Sequence, residues 1–206
     1  GSAYKLLDTL EISDPCGIAL DSERNIVYVT SESDDSVYVI DGSTNTIVNE
    51  IQVSKGPRGV AVNPITNTIY VANSASDSMS VIDGSTNTVL TTVTIGKSPL
   101  RIAVNQVTNI INVISDATDS LYMIDGSTNS ILDSIEINNP YEVAVNTNMD
   151  LVYVTNRSDA FFVIETEEVS SMLPLSFVII MIGVAAALAA GITAAVLVRR
   201  KKAQLS

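Results

Sequence analysis

Histidine and tryptophan are absent from the 206 residues, and cysteine occurs once. Without imidazole the chain lacks the side chain that most often moves protons near neutral pH. A single thiol excludes an intrachain disulfide, so the fold must rest on packing and hydrogen-bonded ladders. No phosphate loop, thiolate zinc cluster or redox motif is present, which leaves no residue set for a cofactor and no catalytic constellation. Positive charge is also scarce, with 11 basic against 23 acidic residues and a net charge of −12. Every acidic residue lies between Asp8 and Glu168, while Arg199, Arg200, Lys201 and Lys202 form one basic cluster at the end. The region before that cluster is therefore strongly anionic, which repels nucleic acid and excludes it as a partner.

The sequence is rich in Val, Ile, Thr, Ser, Asn and Asp, arranged in a repeat. Asp-Gly-Ser-Thr-Asn begins at Asp41, Asp83 and Asp125, at intervals of 42 residues. Asp caps the amides that follow it, Gly accepts positive φ and Asn tolerates the left-handed region, so this string reverses a chain cheaply. Val37 to Ile40, Met79 to Ile82 and Leu121 to Ile124 precede the three turns; Thr46 to Val53, Thr88 to Ile95 and Ser130 to Ile137 follow them. These flanks are β-branched with partial period-two alternation and read as hairpins. A period of this size marks units that pack on their neighbours.

Each unit reads as four short strands, which predicts an all-β fold: a β-propeller of four blades, each of four antiparallel strands. The repeats fall at 15–56, 57–98, 99–139 and 140–164. The fourth repeat lacks its last strand, and Tyr4 to Ile12 reads as a strand without a partner. Residues 4–12 are therefore expected to pair with the last blade and close the ring, removing an exposed ladder edge. The same phasing fits the C-terminal portion of a larger surface propeller. Gly1 and Ser2 stand where an initiator Met would be, which suggests that a segment was removed upstream.

Tyr153-Val154-Thr155-Asn156 resembles the signature of the YVTN β-propeller repeat family, and Tyr28-Val29-Thr30-Ser31 and Tyr70-Val71-Ala72-Asn73 are close variants. Val39 to Thr46, Pro57 to Asn63 and Val81 to Thr88 are also similar to that family's repeat. The third unit departs from it, with Asn112 in the place of Tyr. The resemblance covers residues 4–164. It implies the propeller fold and a setting of the kind common among archaeal surface proteins.

After a polar linker at 165–172, Leu173 to Val198 carries no charge. As a helix it would extend about 39 Å, enough for a hydrocarbon core of ~30 Å. The basic cluster that follows favours the cytoplasmic side. The expectation is a single-pass cell-membrane protein with its propeller outside and residues 199–206 as a cytoplasmic tail. Gly183, Ala187, Gly191 and Ala195 recur every four residues, a small-residue spacing that could drive self-association in the membrane.

The loops after the second and fourth strands fall on one rim. Lys55, Arg58, Lys97 and Arg101 gather there on the second and third blades, beside Tyr141 and Glu142 on the fourth. Such a rim suits an acidic surface protein or an anionic glycan. Alternatively the cations pair with Asp34, Asp35, Asp77, Asp116 and Asp119 in neighbouring loops. Those aspartates lack the dense spacing of a calcium cage and read better as turn residues, so no metal site is expected. Cys16 has no activating partner in sequence, and Tyr28, Tyr70 and Tyr153 read as packing residues. Asn156-Arg157-Ser158 is an N-glycosylation acceptor pattern. The functional expectation is a recognition, adhesion or envelope-scaffolding module without enzymatic activity. The alternative is a rim-site enzyme or solute-binding module.

Overall fold

The computed structural model describes residues 4–165 and, for backbone alone, 166 and 177–183. Sixteen antiparallel strands form four separate four-stranded sheets. The first sheet is β1 (Pro15–Asp21), β2 (Ile26–Ser31), β3 (Ser36–Asp41) and β4 (Thr46–Gln52). The second is β5 (Pro57–Asn63), β6 (Thr68–Asn73), β7 (Ser78–Asp83) and β8 (Thr88–Thr94); a 3-10 turn at Ser74–Ser76 lies between β6 and β7. The third comprises β9 (Pro99–Asn105), β10 (Ile110–Ser115), β11 (Ser120–Asp125) and β12 (Ser130–Glu136). The fourth comprises β13 (Pro140–Asn146), β14 (Leu151–Asn156), β15 (Ala160–Thr166) and β16 (Phe177–Gly183). Every sheet is a meander in chain order, the arrangement of a propeller blade.

The repeated turn explains why the hairpins recur in register. The amides of Ser43, Ser85 and Ser127 donate to Oδ1 of Asp41, Asp83 and Asp125 at 2.7, 2.7 and 2.8 Å. Asn45, Asn87 and Asn129 close each turn with φ of 54°, 54° and 58°, a left-handed conformation that Asn accepts more readily than most residues. Gly42 and Gly84 are required by space: a Cβ there would approach the Asn25 and Asn67 side chains to 2.6 and 2.5 Å.

Packing between sheets is equally periodic. On the first sheet Tyr28, Val37 and Val39 face Val60, Ile69, Val71 and Ile82 of the second. On the second, Tyr70, Met79 and Val81 face Ile102, Ile111, Val113 and Ile124 of the third. Leu121 and Met123 of the third meet Val143, Val152, Val154 and Ile164 of the fourth. Each sheet thus offers one face forward to its successor and one back to its predecessor, as period-two strands buried on both sides must. The innermost strands follow the same order, β1 against β5, β5 against β9 and β9 against β13. Among the described residues no contact of that extent joins β13 to β1, while the inner strands of all four sheets line one groove in a propeller-like arrangement.

One expectation is corrected here. Residues 4–12 form no strand, and the place beside β15 is filled by β16, with Ala160 opposite Gly183 and Thr166 opposite Phe177. The physical reason is local: an apolar run that follows β15 in sequence closes a shorter loop than one brought from the far end of the chain. The strand β16 overlaps residues 177–183 of the expected helix, with Gly183 at its end; the rest of that helix, 173–176 and 184–198 with Ala187, Gly191 and Ala195, lies outside the described residues. Among the described residues no helix is long and apolar enough to cross a membrane.

Candidate functional site

The loops entering each sheet share one construction. Asp14, Gly56, Ser98 and Asn139, each immediately before a proline, all have positive φ, between 40° and 66°. Their carbonyls accept the amides of Glu32, Ser74, Asp116 and Arg157 at 3.1, 2.7, 3.3 and 2.9 Å, tying the β2–β3 loop and its equivalents to the strand entrances on one rim. The aspartates lock the same rim. Oδ1 of Asp35, Asp77 and Asp119 accepts the amides of Gly56, Ser98 and Asn139 at 2.8, 2.9 and 2.8 Å. Asp34 Oδ2 accepts the hydroxyls of Ser31 and Tyr38 at 2.8 and 3.0 Å. These carboxylates are turn residues whose oxygens bind the chain itself.

Below the loops, the inner ends of β1, β5, β9 and β13 line a shallow groove with Cys16, Gly17, Gly59, Arg101 and Glu142 at its surface. The glycines let neighbouring strands approach, since a Cβ on Gly17 would meet the Arg58 carbonyl oxygen at 2.1 Å. Arg58 Nη2 lies 2.8 Å from Glu32 Oε1, bridging the second sheet to the first. Arg101 Nε lies 3.3 Å from Glu142 Oε2, bridging the third to the fourth. The arginines therefore pair with glutamates across the seams and not with the loop aspartates. Lys55 and Lys97 are exposed at the rim and join no ion pair among the described residues.

Tyr141 is half exposed with the Arg157 guanidinium 5.1 Å above its ring. Sequence reasoning placed Tyr141 and Glu142 on the rim but missed Glu32 and Arg157; both occupy the first position after the second strand of their sheets, and that equivalence was the available signal. Asn156 is half-buried, and its side-chain oxygen accepts the Ala160 amide at 3.0 Å. The Cys16 thiol donates to Glu32 Oε2 at 3.4 Å. Partial burial, then the Glu32 carboxylate, raises its pKa, so it is a poor nucleophile at neutral pH.

At the opposite rim the seams are held by side-chain amides. Asn63 donates to Asn109 Oδ1 at 2.7 Å between the second and third sheets, and Asn105 donates to Asp150 Oδ1 at 2.7 Å between the third and fourth. Arg24 bonds both Asp21 and the Pro64 carbonyl between the first and second.

No family model matches the chain, and no curated protein does. Among solved structures it is similar to Kuenenia stuttgartiensis hydrazine synthase, with a TM-score of 0.69 at 17% identity over 88% of this chain. The likeness spans 59% of that chain and is one of fold. The class defined by these findings is an all-β, propeller-like arrangement of four-stranded sheets.

Proposed function

We propose that this chain is a recognition module that binds an anionic partner, a surface protein or an acidic glycan, at the rim carrying Lys55 and Lys97. The observation that carries this reading is the pair of exposed lysines in equivalent loops of adjacent sheets, without carboxylate partners among the described residues on an otherwise acidic surface. Arg58 and Arg101 lie beside them but are engaged at the seams, so their contribution is to hold the loops in place and keep the local potential positive. Tyr141 offers an aromatic surface for a sugar ring. Binding, and not catalysis, is the proposed activity, given the absence of histidine and the raised pKa of the single thiol.

Residues 173–198 are proposed as a membrane anchor that displays the sheets outside the cell, with the basic tail in the cytoplasm. A spanning helix needs residues 177–183, because 184–198 alone would make roughly 22 Å of helix against a core of ~30 Å. The strand β16 and the anchor are therefore alternative uses of the same residues, and lipid is proposed to favour the helix. In that position the acceptor pattern at Asn156 is proposed to carry a glycan.

The test uses Lys55→Glu with Lys97→Glu, which leaves the seam arginines untouched. Binding to an array of sialylated and uronic-acid glycans should fall at least tenfold with an unchanged melting curve. Unaltered binding would remove the rim from the proposal. For the anchor, the full chain reconstituted in phosphatidylcholine vesicles should resist alkaline extraction; release from the vesicles would refute it.

A further inference from the structure

Exposed apolar side chains collect on the rim opposite Lys55 and Lys97. The loops after β5, β9 and β13 carry Ile65, Val107 and Met149, exposed by 64%, 68% and 63%. An asparagine at the base of each loop holds its tip in place. Asn63 and Asn105 Oδ1 accept the Ile65 and Val107 amides, both at 3.0 Å, and Asn146 Oδ1 accepts the Met149 amide at 3.3 Å. The Asp-Gly-Ser-Thr-Asn turns stand beside these loops, since the amides of Gly84 and Gly126 donate to the Asn67 and Asn109 carbonyls, both at 2.9 Å. Just past the turns the outermost strands bulge, and the bulged residues Val48, Leu90 and Leu132 are exposed as well. Among the described residues, the loops of the Lys55 and Lys97 rim expose no large apolar side chain.

Chain direction gives this rim its partner. β15 runs from the lysine rim at Ala160 to the apolar rim at Thr166, so the segment leading to residue 173 starts at the apolar rim. From Thr166 to residue 173 the backbone spans at most roughly 25 Å when fully extended. We infer that the apolar rim lies on the bilayer surface, with Ile65, Val107 and Met149 seated in the headgroup layer of a zwitterionic lipid such as phosphatidylcholine; this rests on the membrane anchor proposed above. Three tips on consecutive sheets define a plane of contact. Single apolar side chains hold a membrane weakly, but a short tether makes their insertion an intramolecular step at high effective concentration. The first sheet has Glu23 and Arg24 at its tip instead, both amides bound to Asp21 Oδ1. Charge selects the lipid: Asp41, Asp83 and Asp125 lie on the same rim and accept amides of their own turns, which keeps the rim anionic and opposes an anionic bilayer. The rim of Lys55 and Lys97 then faces away from the membrane, open to a partner.

The test reads the depth of each rim in the reconstituted full chain. In a Cys16→Ser background, a bimane fluorophore is attached through Thr86→Cys on the apolar rim or through Lys97→Cys on the other; both positions are exposed, at opposite ends of β8. In phosphatidylcholine vesicles carrying a doxyl-labelled lipid, the label at position 86 should lose at least half of its emission and the label at 97 should keep nearly all of it. Equal quenching, or stronger quenching at 97, would overturn the inference. Ile65→Ser, Val107→Ser and Met149→Ser combined should bring the loss at 86 down to that at 97, with circular dichroism and resistance to alkaline extraction unchanged. Quenching that persists would mean that the tether alone holds the rim down, which overturns the role of the tips. Release of the chain by alkali refutes the anchor and the rim contact together, whereas a retained chain without quenching at 86 refutes the rim contact alone. Phosphatidylglycerol added at low salt should weaken the quenching at 86; an increase would overturn the choice of lipid.

Discussion

The two middle sheets and the two end sheets are built from nearly the same sequence, yet they differ in what they bury. Tyr70, Met79 and Ile82 of the second sheet are fully covered, while the equivalents of Tyr70 and Met79 in the fourth, Tyr153 and Phe161, remain partly or largely accessible. The difference teaches that the ladder and turn chemistry of a unit are local, whereas burial belongs to the seam between units. A repeat of this type is stabilised by interface terms that the terminal units half lack.

The sharpest way to break this comparison is to truncate one residue of each kind. Ile69→Ala, at 0% exposure, should cost about 2–5 kcal/mol in chemical denaturation, the range for emptying a packed site. Ile18→Ala should stay within about 0.5 kcal/mol, as exposed changes do. Equal losses would mean that the backward face of the first sheet is covered.

A smaller effect is expected at Asn112. It is fully buried in the place of Tyr28 and Tyr70, and neither its side-chain nitrogen nor its oxygen has a hydrogen-bond partner among the described residues. An unmatched buried amide costs about 1–3 kcal/mol, so Asn112→Val should raise the melting temperature. A lower melting temperature would show that the amide is satisfied in solution.

The turns sharpen the comparison from the local side, because they are the same in the sheets that carry them. Amide and hydroxyl donors lower the pKa of Asp41, Asp83 and Asp125: the Ser43 amide comes first for Asp41, and the hydroxyls of Ser85 and Ser127 for the other two. A depressed folded pKa means stability that is present above the unfolded carboxylate pKa and lost as pH falls through the folded value. Melting temperature should therefore decline as pH drops below about 4. Replacing all three by Asn should flatten that decline, and an unchanged slope would assign it to other carboxylates.

The smallest effect concerns the seam ion pair. Arg58 and Glu32 are 40% and 29% exposed at their side chains, so a double-mutant cycle with Arg58→Met and Glu32→Gln should give a coupling below about 1 kcal/mol. A larger value would make this pair a principal tie between the first two sheets.

Much of the architecture was legible in sequence because its causes are local. Val, Ile and Thr in alternation specify strands, and Asp-Gly-Ser-Thr-Asn specifies the reversal at fixed spacing, so the first fifteen strands follow from periodicity. The prolines at 15, 57, 99 and 140 mark the start of each inner strand, slightly earlier than apolar content alone suggests. The partner of the β15 edge was not legible, because Tyr4 to Ile12 and Phe177 to Gly183 both carry strand-compatible side chains and pattern cannot rank two claimants for one edge. The rim cations were legible as a group, but their partners were not. Asp35, Asp77 and Asp119 are close in sequence to the expected positions, yet their oxygens are consumed by backbone amides, which left Glu32 and Glu142 to meet the arginines.

What the sequence determined by itself is the repeating unit: four strands, their turns, and two apolar faces per sheet, all fixed by interactions among residues within about forty positions of each other. Tertiary structure decided which faces are covered, which strand completes the last sheet and which carboxylate meets which cation. Those outcomes depend on groups brought together from different units, and their energies arise from desolvation and packing at the seams, which no single repeat contains.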